Sequence, residues 1–299
     1  MHIGMIGLGR MGGNMRDRLV AAGHTVTGYD TNPDITDVPD LAGLAAAMPA
    51  GERVVWVMVP AGDITRSTIA QLADVLGEDD LVIDGGNSYY RDDQPNADLL
   101  AERGIRYLDV GISGGVWGRE GGYGTMVGGS AEDVERLMPI FDALRPEGPR
   151  DEGFVHAGGT GAGHFTKMVH NGIEYGLMQA FAEGYEVIAS RPDLVPDVTA
   201  VMRGWQRGTV VRSWLLELLV DALEDDPGLA SIDDYAEDSG EGRWTLQEAI
   251  DNAVPAPTLS AALFARFTSR QDESPAMKAI AALREEFGGH ATRPVGPAS

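Results

Sequence analysis

The sequence predicts an α/β Rossmann-type parallel-sheet domain followed by an all-α helical domain, and three observations carry that expectation. Over residues 1–160, short β-branched runs alternate with helical segments. The first run leads directly into a glycine-rich turn, Gly7-Leu8-Gly9-Arg10-Met11-Gly12, and then a helix. Beyond Gly161 the strand-like runs stop and long helical patterns take over. Strand, turn and helix in repetition argue for βαβ units and a parallel sheet. The expected division is therefore a dinucleotide-binding domain over 1–160 and a helical domain over 161–299.

Each element has its own justification. HIGMIG reads as the first strand, and the glycines after it permit a tight turn that brings a pyrophosphate to a helix amino terminus. The second strand, TVTGY, ends at Asp30, roughly 20 residues past the glycine turn, where a carboxylate accepts hydrogen bonds from the adenine ribose. That carboxylate repels a 2′-phosphate, and the following Thr31-Asn32-Pro33 supplies no arginine to hold one. NAD is expected, with NADP disfavoured. RVVWVMV, DLVID and RYLDV continue the sheet, and FVHA adds a short strand between the loops RPEGPRDEG and AGGTGAG. Ser130-Ala-Glu-Asp forms a capping box that predicts a helix through Leu144. In the second half, stripes at Met168, Ile173, Leu177 and Ala180, and at Leu215, Leu218, Leu219 and Leu223, mark helical faces expected to be core. No internal repeat or low-complexity segment is visible.

Charge narrows the function. Acids outnumber bases 46 to 23 in 299 residues, a formal net charge of −23. Such a chain disfavours nucleic acid and acidic membranes as partners, because both are polyanions. Three origins of the acidity stand open: solubility, a saline cytoplasm that favours carboxylates and arginine, or a GC-rich genome that replaces lysine by arginine. The amino terminus shows no basic segment or cleavage site of a secretion signal, and no apolar run is long enough to span a membrane. A cytoplasmic protein is expected. Cysteine is absent, so neither disulfides nor thiolate metal sites exist. His2, His24, His156 and His164 read as surface or packing histidines, no His/Asp/Glu set has metal-ligand spacing, and no metal is expected.

Only two lysines occur, Lys167 and Lys278. Lys167 opens the run Lys167-Met168-Val169-His170-Asn171-Gly172-Ile173-Glu174. At about 100° per helical residue, Lys167, Asn171 and Glu174 (i, i+4, i+7) share one stripe with His170 on its flank. A solvated face with a charge pair would show the same spacing. Retention of lysine where arginine serves elsewhere argues for chemistry, since a desolvated lysine can lose its proton near neutral pH and arginine cannot. Lys167 is thus a candidate general base, its pKa expected to be lowered by burial and by positive neighbours.

Two further stretches, Asp84-Gly85-Gly86-Asn87-Ser88 and His170-Asn171-Gly172-Ile173-Glu174-Tyr175-Gly176, make the resemblance specific. Over essentially its whole length the chain resembles the decarboxylating 6-phosphogluconate dehydrogenases, in the short form with one helical substrate domain. The resemblance implies that Lys167 takes the proton of the substrate 3-hydroxyl as hydride leaves for the nicotinamide. It then polarises the ketone during CO2 loss, and Glu174 protonates C1 of the enediol. It also implies that Asn87, Ser113, Gly114, Gly115, His170 and Asn171 grip the carboxylate and hydroxyls of 6-phosphogluconate. The backbone of Val59-Pro60-Ala61, with Asn87, would touch the cofactor. Tyr175, Arg243 and Arg266 match phosphate-binding positions, although Arg243 stands where the family usually has lysine. Arg284 and His290 match a tail that reaches into a neighbouring subunit's site, so a homodimer or larger homo-oligomer is implied, with 161–299 binding substrate and dimerising. Rival readings are another β-hydroxyacid dehydrogenase, of the hydroxyisobutyrate or tartronate semialdehyde type, and a non-catalytic sensor of NAD and sugar phosphates.

Overall fold

In chain order the first part of the fold runs β1 (His2–Ile6), α1 (Arg10–Ala21), β2 (Thr25–Tyr29), α2 (Leu41–Ala46), β3 (Val54–Val57), α3 (Asp63–Val75), β4 (Leu81–Asp84), α4 (Asp93–Ala101), β5 (Arg106–Ser113), α5 (Gly118–Gly121), β6 (Gly124–Gly128), α6 (Ala131–Arg136), α7 (Met138–Leu144) and β7 (Phe154–Gly158). The helices α8 (Ala162–Ala189), α9 (Val198–Trp205), α10 (Trp214–Asp225), α11 (Glu241–Asp251), α12 (Pro257–Thr268) and α13 (Pro275–Gly288) follow. The structure is a computed structural model that describes residues 1–289 and 291–293. By packing it comprises two compact units. One holds Met1–Glu174 and Gly240–Pro255, and the other holds Tyr175–Ser239 and the chain from Ala256 onward.

The first unit is built on a seven-stranded sheet of order β2-β1-β3-β4-β5-β6-β7. All its pairings are parallel except β5 with β6. Both faces are covered, so the inner strands are continuously apolar. Val54 and Trp56 of β3 join Ile3, Met5, Leu81 and Ile83 in one core, while Val55 and Val57 join Ile6, Leu72 and Val82 in the other. Burial of each such side chain contributes roughly 1.5–3 kcal/mol. The antiparallel strand β6, GTMVG, is not among the runs the sequence singles out; only three residues, Thr125, Met126 and Val127, stand between its glycines, too short a run to stand out.

The capping serine behaves as expected. Ser130 Oγ accepts the Asp133 N–H at 3.1 Å, but the helix it opens ends at Arg136 and a second begins at Met138. Pro139 causes the break: it lacks an N–H and suits only the first turn of a helix.

In the second unit, Met202, Leu216, Val220 and Leu223 form the core with Phe181, Tyr185 and Leu219 packed against it. Two expected stripes are displaced. The α10 core face is Leu216–Val220–Leu223, with only Leu219 and Leu223 shared with the anticipated set. On α8, Met168 is buried, yet Ile173 is 53% and Leu177 46% exposed. The buried face of α8 instead carries His164, Lys167, Met168, Asn171 and Tyr175. Periodicity was right about the helix and wrong about its inward face, because here the inward face is polar.

Candidate active site

At the carboxyl end of β1, Gly7 adopts φ +85°, a conformation that side chains rarely take. A Cβ at Gly12 would lie 1.9 Å from the Gly7 carbonyl oxygen, so α1 can follow β1 this closely only with glycine there. Gly9 caps α1 with no side-chain hydrogen bond, and a Cβ built on it meets nothing within 4 Å. Leu8, Arg10 and Met11 complete this turn, whose open amino-terminal N–H groups suit a pyrophosphate. Asp30 closes one side: its carboxylate accepts the Leu8 N–H at 2.7 Å and the Asn32 N–H at 2.9 Å. Val59, Pro60 and Ala61 leave the carboxyl end of β3, and the Pro60 carbonyl is pinned by the Thr65 hydroxyl at 2.9 Å. Asn87 is exposed just beyond β4. These loops lie at the carboxyl ends of parallel strands, where open α/β sheets bind ligands. The residues fit a nicotinamide dinucleotide.

A polar chain starts from Lys167. Its Nζ donates to Asn171 Oδ1 at 2.5 Å, and Asn171 Nδ2 donates to Glu241 Oε1 at 3.0 Å. His170 Nδ1 donates to the same Asn171 oxygen at 3.0 Å, which leaves Nε2 to accept from Ser113 Oγ at 3.3 Å. Glu174 stands one turn on, 3.9 Å from His170. Lys167 is 7% exposed. Burial pushes its pKa below the ordinary lysine range, opposed by the carboxylates of Glu174 and Glu241. The direction agrees with a base; the anticipated positive neighbours are replaced by negative ones. Helix α8 reaches this depth because β5 has Gly111 beneath it, where a Cβ would lie 2.2 Å from Lys167 Cβ. Gly114 and Gly115, following Ser113, both take positive φ.

One turn before Lys167, His164 corrects its reading as an ordinary histidine. It is 1% exposed, and its Nδ1 donates to both oxygens of Asp93, at 2.8 and 3.0 Å. The Tyr107 hydroxyl donates to Asp93 at 2.8 Å, and Asp109 accepts the backbone N–H groups of Gly161 and His164. Burial alone would lower the His164 pKa, but Asp93, then Asp84 and Asp109, hold it up to about 9. Burial raises Asp93 to about 6 against the pull of His164. Atoms of Asp84, Asp93 and His164 lie within 4.8 Å of one another, a grouping that sequence spacing did not reveal. Asp84 already accepts from the Gly86 N–H and the Ser88 hydroxyl. With these internal donors, and with the neighbouring carboxylates favouring the imidazolium of His164, the geometry is that of a buried His164–Asp93 ion pair.

Within the second unit, the Arg266 guanidinium carbon lies 3.5 Å from the centroid of the Tyr175 ring, and the Tyr175 hydroxyl accepts the Ser239 N–H at 3.2 Å. Arg266 also donates to the Glu237 carbonyl at 2.9 Å. The structure thus pairs two of the expected phosphate residues. Arg243 is exposed on α11, in the first unit, and Arg284 is exposed on α13. His290 lies outside the described residues. The residue that sequence reasoning missed is Glu241, 2% exposed at the first position of α11. Its one signal was position, two residues before Arg243.

A doubly covered sheet with a glycine turn at the carboxyl end of its first strand, closed by an aspartate, defines a nicotinamide-dinucleotide-binding oxidoreductase. Residues 2–146 match the NAD binding domain of 6-phosphogluconate dehydrogenase, and residues 163–292 match the 6-phosphogluconate dehydrogenase C-terminal domain. The chain belongs to the 6-phosphogluconate dehydrogenase family. It is 41% identical over 300 residues to the NAD(+)-dependent, decarboxylating 6-phosphogluconate dehydrogenase of Haloferax volcanii, covering 97% of this chain and 98% of that one. It is 35% identical to an NADP(+)-dependent, decarboxylating relative in Bacillus subtilis, over 91% of this chain and 62% of the relative. Among solved structures, Plasmodium falciparum 6-phosphogluconate dehydrogenase superposes with a TM-score of 0.74 at 26% identity, over 100% of this chain and 67% of that one.

Proposed function

We propose that the chain oxidises and decarboxylates 6-phosphogluconate to ribulose 5-phosphate and CO2, with NAD as oxidant. The carrying observation is Lys167: a buried lysine, held by Asn171, whose pKa burial lowers. Residues 1–160 bind the dinucleotide, and 161–299 contribute the substrate-binding and dimerising helices. A bound nicotinamide would supply the acceptor for the hydride that leaves C3 of the substrate. Neutral Lys167 takes the proton of the 3-hydroxyl in that step. As an ammonium it then donates to the ketone oxygen of the β-keto acid, drawing off the electron pair released as the C1–C2 bond breaks and CO2 leaves. Glu174 delivers a proton to the carbon that becomes C1 of the product. His170, Asn171, Asn87, Ser113, Gly114 and Gly115 orient the carboxylate and hydroxyls.

The phosphate is held by Tyr175, Arg243 and Arg266, whose charge-assisted contacts offset an acidic chain. Arg284 and His290 serve the site of a neighbouring subunit in a homodimer, and the exposure of Ile173 and Leu177 on α8 suits coverage by that partner. The protein works in the cytoplasm without a metal. NAD is preferred because the Asp30 carboxylate, already bound to the glycine turn, repels a 2′-phosphate.

Stoichiometric release of CO2 and formation of NADH from 6-phosphogluconate tests this reading. Turnover of hydroxyisobutyrate or tartronate semialdehyde in place of 6-phosphogluconate would redirect it to another β-hydroxyacid dehydrogenase. Binding of NAD and sugar phosphate without turnover would leave only a sensor.

A further inference from the structure

Glu241 is buried, accepts one hydrogen bond at Oε1, and has no hydrogen-bond partner at Oε2 among the described residues. A carboxylate so placed is costly unless a charge nearby offsets it. Its position is tightly held. The Thr245 hydroxyl lies 2.8 Å from both the Met168 and the Glu241 carbonyl oxygens and shares its one proton between them, pinning the start of α11 to the turn of α8 that carries Lys167. Gly172 makes room, since a Cβ there would stand 2.8 Å from the Thr245 methyl. As the first residue of α11, the carboxylate also gains from the helix dipole.

The orientation of Asn171 follows from this. An ionised carboxylate can only accept, so Glu241 requires the amide NH2 on its side. The amide oxygen is thereby turned to Lys167 and His170, where both nitrogens donate to it.

We infer that Glu241 is a positioning residue: its buried carboxylate locks the Asn171 amide so that the carbonyl faces Lys167, and its negative charge offsets the lysine ammonium formed during turnover. This deepens the proposed function and rests on Lys167 acting as the base. Burial favours loss of the lysine proton, and the nearby carboxylates Glu174 and Glu241 oppose that loss. The net effect is a pKa below the ordinary lysine range, held from falling further by the two carboxylates. The other ionisable groups near this chain are His170, which shares the Asn171 oxygen, and, one turn earlier, the Asp93–His164 pair with Asp109 accepting the His164 N–H. Glu241, by contrast, is linked to Lys167 through Asn171 by a buried hydrogen-bonded route that ends in a carboxylate.

With two lysines in the chain, 13C-labelled lysine resolves the titration of Lys167, and Lys278→Arg assigns it. In Glu241→Gln the Lys167 pKa should fall by about one unit, the scale of removing a nearby opposite charge. Lys278 should not move. The acid limb of kcat/KM against pH should shift down with Lys167, while Glu241→Asp, which keeps the charge, should restore both towards the parent. A merely structural role would lower stability in all variants alike without moving the lysine. If the glutamine variant does not fold, Glu241→Ser carries the same expectation. An unchanged Lys167 titration in the uncharged variant overturns the inference. If that titration shifts while Lys167→Arg keeps full turnover, the coupling of Glu241 to Lys167 stands and the base assignment falls, and with it the catalytic meaning of the positioning.

Discussion

Replacement of Lys167 tests most directly whether this side chain is a base. Lys167→Arg keeps the positive charge and most of the volume but cannot accept the 3-hydroxyl proton. Turnover should fall by about 10² or more, the scale of general base catalysis, while 6-phosphogluconate still binds within roughly tenfold of the parent. Single-turnover kinetics and isothermal titration would separate the two; substantial turnover at neutral pH would reduce Lys167 to an anchor. A second prediction belongs to Asp30, whose carboxylate accepts from Leu8 and Asn32 beside the glycine turn. NAD should exceed NADP in kcat/KM by at least about tenfold, a difference of roughly 1.4 kcal/mol. Asp30→Ser with Thr31→Arg should move the preference towards NADP, and equal efficiencies in the parent would remove the basis for the assignment. Both residues were legible from sequence: one by its rarity, the other by its distance from a glycine turn. Glu241 was not, because its role depends on a helix entering the first unit some 70 residues further along the chain than Asn171.

Among the elements, the junction of α4, β5 and α8 carries a pH dependence. His164 is held protonated among Asp93, Asp84 and Asp109, with a pKa of about 9. An unfolded chain titrates its histidines near 6.5. Because the folded pKa is raised, the stabilisation is fully present below about 6.5 and is lost as pH rises through about 9. The melting temperature should therefore decline between pH 7 and pH 9.5. His164→Gln should start lower and lose most of that slope, since the carboxylates then stay buried without their cation at every pH. A flat profile for the parent protein would mean that the imidazole is neutral and the ion pair absent. The helix itself was readable from its period of 3.6, but its direction was not. Aliphatic Ile173 and Leu177 point outwards while Lys167 and Asn171 are buried, an inversion that hydrophobic patterning alone reads backwards.

For the whole molecule, the net charge of −23 sets the expectation. Carboxylates repel one another across an acidic surface, and salt shortens the range of that repulsion to about 3 Å at molar ionic strength. Stability and activity should hold or rise into molar KCl if the acidity reflects a saline cytoplasm. Thermal melts and initial rates across a KCl series would decide. Full activity at low salt with loss at high salt would leave solubility or genome composition as the origin. No helix among the described residues is long and apolar enough to cross a membrane.

By itself the sequence determined what depends on local chemistry: strands from β-branched runs, the dinucleotide turn from glycine spacing, the capping serine at 130, and the family from two contiguous motifs. These are written in neighbouring residues, so a linear reading recovers them. Tertiary structure alone decided what depends on residues far apart in the chain. It paired β6 antiparallel to β5, turned the polar face of α8 inwards, and paired His164 with Asp93, 71 positions away. It also brought Glu241 to Asn171 across 70 residues. The physical reason is the same in each case. Burial changes the chemistry of a charged or polar group, and which groups are buried together is settled only when distant segments pack.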